Sequence, residues 1–168
     1  ELKKDDHIAL VGSAIADRMQ HSNHLETLIY ARSPKLNLVL RNLAVAGDEV
    51  ANRRRSDNFG TPDEWLKKVK ADVIFAFFGY NESFKGEDGL AQFKSDLDKY
   101  LKDLKAGNYS GKSPPRVVLF SPIANERHQD KNFFDPAANN ASLEFYTKAM
   151  AEVAKANGVQ FVDLFTPS

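Results

Sequence analysis

One apolar run near the middle of the chain constrains the fold more than any other stretch. Residues 72–82 read Asp-Val-Ile-Phe-Ala-Phe-Phe-Gly-Tyr-Asn-Glu, so the apolar part ends at Gly79 and polar groups follow at once. Its length and its valine, isoleucine and phenylalanine content are typical of a strand buried on both faces, as the centre of a parallel sheet requires. Ligands of open α/β sheets bind beyond the carboxyl ends of the strands, so we expect Tyr80, Asn81 and Glu82 to reach a site.

Further apolar runs alternate with helical patterns along the rest of the chain. The other predicted strands cover residues 7–11, 36–45, 116–120 and 159–165. Apolar residues at helical spacing separate them, most clearly over 90–104 and 143–153. This alternation predicts an α/β fold, specifically a flavodoxin-like three-layer α/β/α sandwich with a five-stranded parallel sheet. Without a repeat or a linker, residues 1–168 form a single predicted domain.

Helix starts are marked by capping patterns. Asn23 with Glu26 resembles a capping box, and Thr61 with Glu64, with proline between them, is a stronger one. Residues 48–55 have acids first and bases last, as the helix dipole favours, and are predicted to form a short helix. The Arg53-Arg54-Arg55 run within them could bind a phosphate or a sugar carboxylate, although a solvated face is the interpretation we prefer.

Composition excludes several functional classes. Lys plus Arg and Asp plus Glu both number 23, so we expect no nucleic-acid partner. The absence of cysteine excludes disulfides, thiolate metal sites and a cysteine nucleophile. His21 and His24 are three residues apart but have no third ligand at a suitable spacing, so we expect neither a metal nor another cofactor. No apolar stretch approaches the ~20 residues of a membrane span.

The turns after the first three predicted strands resemble those of a known family. They comprise residues 11–14, 42–47 and 79–82, and each contains a glycine. Their order and spacing resemble the SGNH (GDSL-type) hydrolases, a family with a flavodoxin-like fold whose members cleave esters of lipids, acetylated sugars and similar substrates. Gly47 matches the glycine of the family's second block. The third block, Gly-x-Asn-Asp, matches except that Glu82 replaces its aspartate.

The chemistry of ester cleavage gives two of these residues a role. The tetrahedral intermediate carries a negative charge on oxygen, and preorganised donors stabilise it by ~3 kcal/mol each. The Gly47 backbone amide and the Asn81 side-chain amide are such donors if both lie at one edge of the sheet. The simpler alternatives are that Gly47 only permits a tight turn and that Asn81 only caps a loop.

The first block departs from the family pattern. The family has Gly-Asp-Ser there, with serine as the nucleophile, whereas this chain has Gly12-Ser13-Ala14. Alanine cannot attack a carbonyl, and Ser13 stands one position early. Ser13 is therefore either the nucleophile or the cap of the following helix.

The catalytic base is also missing from its expected place. The family's last block is Asp-x-x-His, but the stretch from Asp163 to Thr166 has no histidine. Among the histidines, His128 follows the fourth strand at the carboxyl edge, whereas His7 precedes the first strand. We therefore expect a C-terminal segment beyond Ser168 to carry the base, or the module to be silent, and this chain alone to be inactive.

The resemblance implies an esterase or acylhydrolase, such as a carbohydrate deacetylase, acting on a small-molecule or carbohydrate ester. The predicted substrate contacts, beside the catalytic Ser13, Gly47 and Asn81, are Ala14, Tyr80, Glu82 and His128. The alternative is a non-catalytic SGNH-like module that binds a ligand or a partner. A different flavodoxin-like protein, such as a receiver or flavin carrier, is disfavoured. A receiver needs acids after the first strand, whereas Asp5 and Asp6 precede it, and the Gly-x-Gly-x-x-Gly turn of a dinucleotide binder is absent. The family also includes modules of larger exported bacterial proteins, which favours a periplasmic or extracellular location and further domains.

Overall fold

The computed structural model describes residues 1–130 and 132–168. Within them, five strands alternate with five α-helices. The strands are β1 (His7–Gly12), β2 (Val39–Asn42), β3 (Val73–Phe77), β4 (Arg116–Phe120) and β5 (Gln160–Val162). The helices are α1 (Ala14–Met19), α2 (His24–Arg32), α3 (Pro62–Lys68), α4 (Leu90–Ala106) and α5 (Ala137–Ala156). Two short 3₁₀ turns, Glu82–Lys85 and Glu87–Gly89, lie between β3 and α4.

The sheet is parallel throughout and has the order β2-β1-β3-β4-β5. The strand rich in phenylalanine is its centre, as predicted: β3 pairs Ile74 with Ala9 of β1 and with Val117 of β4. Since all five strands run the same way, their carboxyl ends meet at one edge of the sheet. This edge is where a site is expected in a fold of this kind.

Alternate residues of the strands enter two separate cores. Ala9 and Val11 of β1 belong to a buried cluster with leucines of α4 and with Met150 of α5. Ile8 and Leu10 belong to a second cluster, against which α1 and α2 pack. Because the side chains of a strand alternate between the faces, helices cover the sheet on both sides. The predicted α/β three-layer fold is confirmed.

The capping box predicted at Thr61 and Glu64 is confirmed, since both of its hydrogen bonds are present. The Thr61 hydroxyl accepts from the Glu64 amide at 3.2 Å, and the Glu64 carboxylate accepts from the Thr61 amide at 2.6 Å. Asn23 does precede α2, but its backbone is left-handed, with φ +55°, and its side chain makes no capping hydrogen bond. The capping box predicted from Asn23 and Glu26 is therefore wrong, although the helix starts as expected.

The short helix predicted over residues 48–55 is absent. The segment is irregular. Glu49 and Asn52 exchange two backbone hydrogen bonds, of 3.1 and 3.3 Å, an arrangement that an α-helix does not have. The Val50 amide donates to the distant Glu82 carboxylate at 2.8 Å. The Asp48 carboxylate accepts two hydrogen bonds of 2.7 Å from the Arg55 guanidinium. Neither Arg53 nor Arg55 is fully solvated, so the prediction of a solvated arginine face is also wrong.

Candidate functional site

The first turn places Ser13 at the carboxyl end of β1. The Ser13 amide donates to the Phe77 carbonyl at 2.9 Å, which extends the pairing of β1 with β3 by one residue. Ser13 occupies the N-cap position of α1, but its hydroxyl makes no capping hydrogen bond. The side chain is buried, with Ser13 only 1% exposed. Ala14 begins the helix. The structure thus gives the Ser13 hydroxyl no capping role and little access to solvent.

The second turn exposes Gly47. Its φ is +90°, and a Cβ built there meets no atom within 4 Å. The Asp48 amide donates to the Val45 carbonyl at 3.1 Å, so residues 45–48 form a β-turn with glycine at the third position. A positive φ at that position is the signature of a type II turn. Gly47 therefore serves the turn, and no side chain of its own shields its amide.

The third turn brings Asn81 to the second. Asn81 is half-buried at the start of the 3₁₀ turn Glu82–Lys85, and its side-chain amide donates to the Asp48 carbonyl at 3.0 Å. This contact joins residues 33 positions apart in the sequence and places the Asn81 amide beside the residue that follows Gly47. The turns after β2 and β3 therefore converge on one side of the molecule, as the hydrolase prediction requires.

Glu82 lies beneath these turns. It is 4% exposed, and its two carboxylate oxygens accept from the Val50 amide at 2.8 Å and from the Gly79 amide at 3.0 Å. Burial raises the pKa of Glu82 above its ordinary value, although the two backbone donors oppose that shift. We predicted a substrate contact for Glu82, but the structure commits both oxygens to the backbone. Its observed role is to tie the segment after Gly47 to the turn after β3.

An asparagine cluster fixes Tyr80. The Tyr80 hydroxyl donates to the Asn125 side chain at 3.0 Å, and its ring contacts Phe84 at 5.5 Å between centroids. Asn125 is in turn hydrogen-bonded to Asn139 and Asn140, at the start of α5. Sequence reasoning missed these asparagines. Their only signal is the presence of three asparagines at the two ends of the loop after β4.

The structure does not bring His128 or His7 into hydrogen-bonding contact with Ser13. His128 is exposed: its Nδ1 accepts from the Asp130 amide at 3.0 Å, and its ring lies 4.1 Å from that of Phe133. His7 is at the opposite edge, where its Nδ1 is 2.7 Å from the Val69 carbonyl. Within residues 1–130 and 132–168, no hydrogen bond joins a histidine to the Ser13 side chain. The access of His128 to a substrate stays a prediction.

Asp163 immediately follows β5, and its carboxylate is hydrogen-bonded to a residue nearby in the sequence. Its two oxygens accept from the Thr166 amide at 3.0 Å and from the Thr166 hydroxyl at 2.6 Å. These hydrogen bonds lower the pKa of the Asp163 carboxyl. The Asp163 carboxylate thus stabilises the turn that follows β5. Among the residues that the structure describes, no group of three or more potential ligands could hold a metal ion.

The sequence and the fold were each compared with known proteins. The family model described as GDSL-like Lipase/Acylhydrolase family matches residues 14–168. No curated protein matches the sequence. No helix within the described part of the chain is long and apolar enough to cross a bilayer.

Several solved structures have a similar fold. A gut microbial diltiazem-metabolizing enzyme superposes with a TM-score of 0.71 at 18% identity, and the match covers 99% of this chain but only 38% of the enzyme's chain. The acetyl xylan esterase AlAXEase has a TM-score of 0.67 at 16% identity, covering 96% of this chain and 78% of its own. The carbohydrate acetylesterase Est24 from Sinorhizobium meliloti has a TM-score of 0.69 at 11% identity, covering 95% of this chain and 84% of its own.

Proposed function

This chain belongs to the GDSL-like lipase/acylhydrolase family, and on that premise we propose that it is an ester-hydrolase module in which Gly47 and Asn81 form the oxyanion hole. The observation that carries the proposal is the 3.0 Å hydrogen bond from the Asn81 side chain to the Asp48 carbonyl. It anchors the Asn81 side chain to the residue that follows Gly47, which supports a joint role for the two amides. Two donors at one edge are what a carbonyl oxygen needs as it becomes negatively charged.

The Asn81 amide has a second N–H beyond the one given to Asp48, and that N–H is the proposed catalytic donor. The first hydrogen bond holds the amide in place, so its orientation costs nothing further when the charge develops. The Gly47 amide lies on a turn with a fixed φ. Preorganisation of this kind is what makes an oxyanion donor worth ~3 kcal/mol.

In the proposed reaction the Ser13 oxygen attacks the ester carbonyl carbon while a base takes the hydroxyl proton. The alcohol then leaves with a proton, and water releases the acyl group from Ser13 as an acid. Tyr80 and Ala14 flank the reacting carbonyl in this proposal. The His128 side chain contacts the substrate from the loop after β4. Glu82 acts through the backbone, because it holds the turn on which Asn81 lies.

We also propose a small acyl group, acetyl being the simplest, on a carbohydrate or similar alcohol. Two of the structurally similar proteins are an acetyl xylan esterase and a carbohydrate acetylesterase, which supports this substrate class. The turn at Gly47 is exposed, so the alcohol part of the ester can extend into solvent.

A second candidate is a module that binds an ester or related ligand without cleaving it. Two observations favour it: Ala14 occupies the family's nucleophile position, and Ser13 is only 1% exposed with no histidine bonded to its side chain among the described residues. Without its base a serine nucleophile loses on the order of a million-fold in turnover. In this module the Gly47 and Asn81 donors would bind a carbonyl oxygen and nothing more.

Hydrolysis of p-nitrophenyl acetate tests the proposal. We expect Asn81→Ala to lower kcat/KM about 100-fold, the usual loss for one oxyanion donor. Asn52→Ala is the matched control, because Asn52 is an exposed asparagine on the neighbouring segment. Equal rates for Asn81→Ala and Asn52→Ala would contradict the oxyanion role.

Two further results separate the candidates. Ser13→Ala abolishes hydrolysis if Ser13 is the nucleophile, and a Ser13→Ala variant of undiminished rate removes that role. If neither this chain nor one extended past Ser168 hydrolyses the ester, the binding module is the correct candidate. In that case NMR titration with p-nitrophenyl acetate should still show binding, and Asn81→Ala should weaken it.

A further inference from the structure

A cavity of about 240 Å³ lies beside the carboxyl ends of β1 and β2, between the sheet, α3 and the irregular segment 48–59. Most of its wall is apolar. The side chains that form this part of the wall include Val11, Leu43, Phe59, Trp65, Leu66 and Phe78. Gly12 and Asp48 also line the cavity, whereas Ser13, Gly47 and Asn81 do not, so the cavity adjoins the proposed oxyanion hole without including its donors.

Most polar groups of the wall already have partners. The Asp48 carboxylate and the Arg55 guanidinium form a two-pronged ion pair with both contacts at 2.7 Å. The Asn42 side chain donates to the Ala16 carbonyl at 2.7 Å and accepts from the Ala44 amide at 3.0 Å. The Trp65 indole donates to the Phe59 carbonyl at 2.8 Å. None of these groups requires a ligand.

Arg53 is different. Its guanidinium lies 4.7 Å from the centre of the Tyr100 ring and donates one hydrogen bond, of 2.9 Å, to the Val50 carbonyl. Within residues 1–130 and 132–168, no carboxylate is within 4.0 Å of it. A guanidinium has five N–H groups and a permanent charge, so most of the donors of Arg53 are left over.

Tyr100 positions Arg53. It is 7% exposed, and its hydroxyl oxygen is enclosed by protein atoms. Burial raises the pKa of Tyr100 to about 12, although the nearby Arg53 charge opposes the shift, so the residue stays neutral near pH 7. Its ring therefore holds the Arg53 guanidinium by a cation–π contact.

We propose that this cavity binds a small carboxylate that has an apolar body. The carboxylate accepts hydrogen bonds from the Arg53 guanidinium, and the apolar body packs against Trp65 and its apolar neighbours. Arg53 matches a planar carboxylate in charge and in shape. The Asp48 carboxylate in the same wall disfavours a dianion such as a phosphate ester. This inference does not rest on the proposed function, because it requires neither hydrolysis nor the oxyanion hole.

The chain carries its own reporter of occupancy. Trp65 is the only tryptophan in the sequence and lies in the cavity wall, so its fluorescence responds to a bound molecule. The probe is 3-phenylpropionate, and its neutral counterpart is 3-phenylpropan-1-ol, which has the same carbon skeleton. We expect the acid to change Trp65 emission in a saturable way and to bind at least about tenfold more tightly than the alcohol, because a charge-assisted hydrogen bond is lost with the alcohol.

Three variants assign the contacts. Arg53→Gln should weaken binding of the acid at least about tenfold and leave the alcohol unaffected. Arg53→Lys keeps the charge but loses the planar fork, so it should weaken binding of the acid about fivefold. Arg54→Gln is the matched control, because Arg54 is an exposed neighbour that does not line the cavity, and it should bind the acid as the unaltered protein does.

The proposal is overturned if the acid produces no saturable change, if the alcohol binds as tightly, or if Arg53→Gln and Arg54→Gln have equal affinities. Thermal unfolding of each variant shows whether it is folded. If Arg53→Gln does not fold, Arg53→Lys decides alone, and unchanged affinity for the acid in that variant overturns the proposal.

Discussion

The two ends of β3 each have a buried acid, and they hold it in opposite ways. Before the strand, Asp72 accepts from the His7 amide at 3.0 Å and from the Lys112 ammonium at 3.4 Å. After the strand, both Glu82 partners are backbone amides, and no cation lies within 4.0 Å of it in the described part of the chain. Burial pushes both pKa values up, but at Asp72 the hydrogen bonds and the Lys112 charge outweigh it.

This difference affects how firmly each edge is held. The position of a cation beside Glu82 would depend on a flexible side chain. Backbone donors add no charge and fix the turns on both sides of the candidate site. The amino edge, which holds no candidate site, uses ion pairs such as those of Asp72 with Lys112 and of Asp6 with Arg116. The carboxyl edge should therefore tolerate substitution less well.

The largest expected effect is at the close approach of β1 and β3 on the carboxyl side. Gly12 has φ +125°, and a Cβ there would lie 2.0 Å from the Phe77 carbonyl oxygen. Because backbone atoms cannot give way, we expect Gly12→Ala to lower the free energy of unfolding by about 4 kcal/mol or more. Gly111→Ala is the control, since a Cβ there meets nothing within 4 Å, and it should cost about 1 kcal/mol. Equal losses in denaturant unfolding would show that the approach is not tight.

Glu82→Ala should come next. It leaves the Val50 and Gly79 amides buried without acceptors, so we expect a loss of about 3–4 kcal/mol in the free energy of unfolding. Glu82→Gln keeps one acceptor oxygen and should lose about half as much. The measurement is denaturant unfolding at pH 7. A loss below about 1 kcal/mol for Glu82→Ala would mean that the acid does not hold these turns.

Asp72→Ala should be milder, with a loss of about 1–2 kcal/mol. The Lys112 side chain is 65% exposed and regains water when its partner is removed. High salt should reduce the effect of Asp72→Ala, because it screens the ion pair, and should leave that of Glu82→Ala unchanged. If the two substitutions cost the same and respond alike to salt, the contrast between the ends of β3 is wrong.

The smallest effect is in the pH dependence of stability, where the two acids should act in opposite directions. The folded pKa of Asp72 is below its ordinary value of 3.8, so the stability it contributes is present above that value and is lost as the pH falls. The folded pKa of Glu82 is above its ordinary value of 4.5, so its contribution is present below that value and declines as the pH rises.

Isosteric variants measure these slopes. On raising the pH from 3 to 7, the stability difference between the unaltered protein and Asp72→Asn should grow. The difference between the unaltered protein and Glu82→Gln should shrink over the same range. Denaturant unfolding at several pH values measures both stability differences. If both changed with pH in the same direction, burial would not be the dominant influence on the pKa of Glu82.

The sheet could be predicted because its signals are local. Apolar runs such as residues 73–77 and 116–120 specify buried strands, and parallel strands bring their carboxyl ends together without further information. The meeting of the turns after β2 and β3 follows from that geometry alone. Helix starts were equally accessible where cap and partner lie three residues apart, as at Thr61.

The segment after Gly47 could not be predicted, because its conformation is set by residues far away in the sequence. Charge order favoured a helix over residues 48–55, but Glu82 binds the Val50 amide and Tyr100 packs beneath Arg53. The burial of Glu82 could not be predicted for the same reason. In the sequence, a carboxylate that directly follows a strand stands where a site residue is expected. The cavity beside Arg53 could not be predicted without coordinates.

Asp48 makes contacts in both the candidate site and the cavity wall. Its carbonyl oxygen receives the Asn81 amide, while its carboxylate receives Arg55 in the wall of the cavity. A substitution that removes the carboxylate frees Arg55 and shifts the backbone that supports Asn81. Asp48 is thus a pleiotropic position, and in a mutational scan it should score as damaging in assays of ester turnover and of acid binding alike.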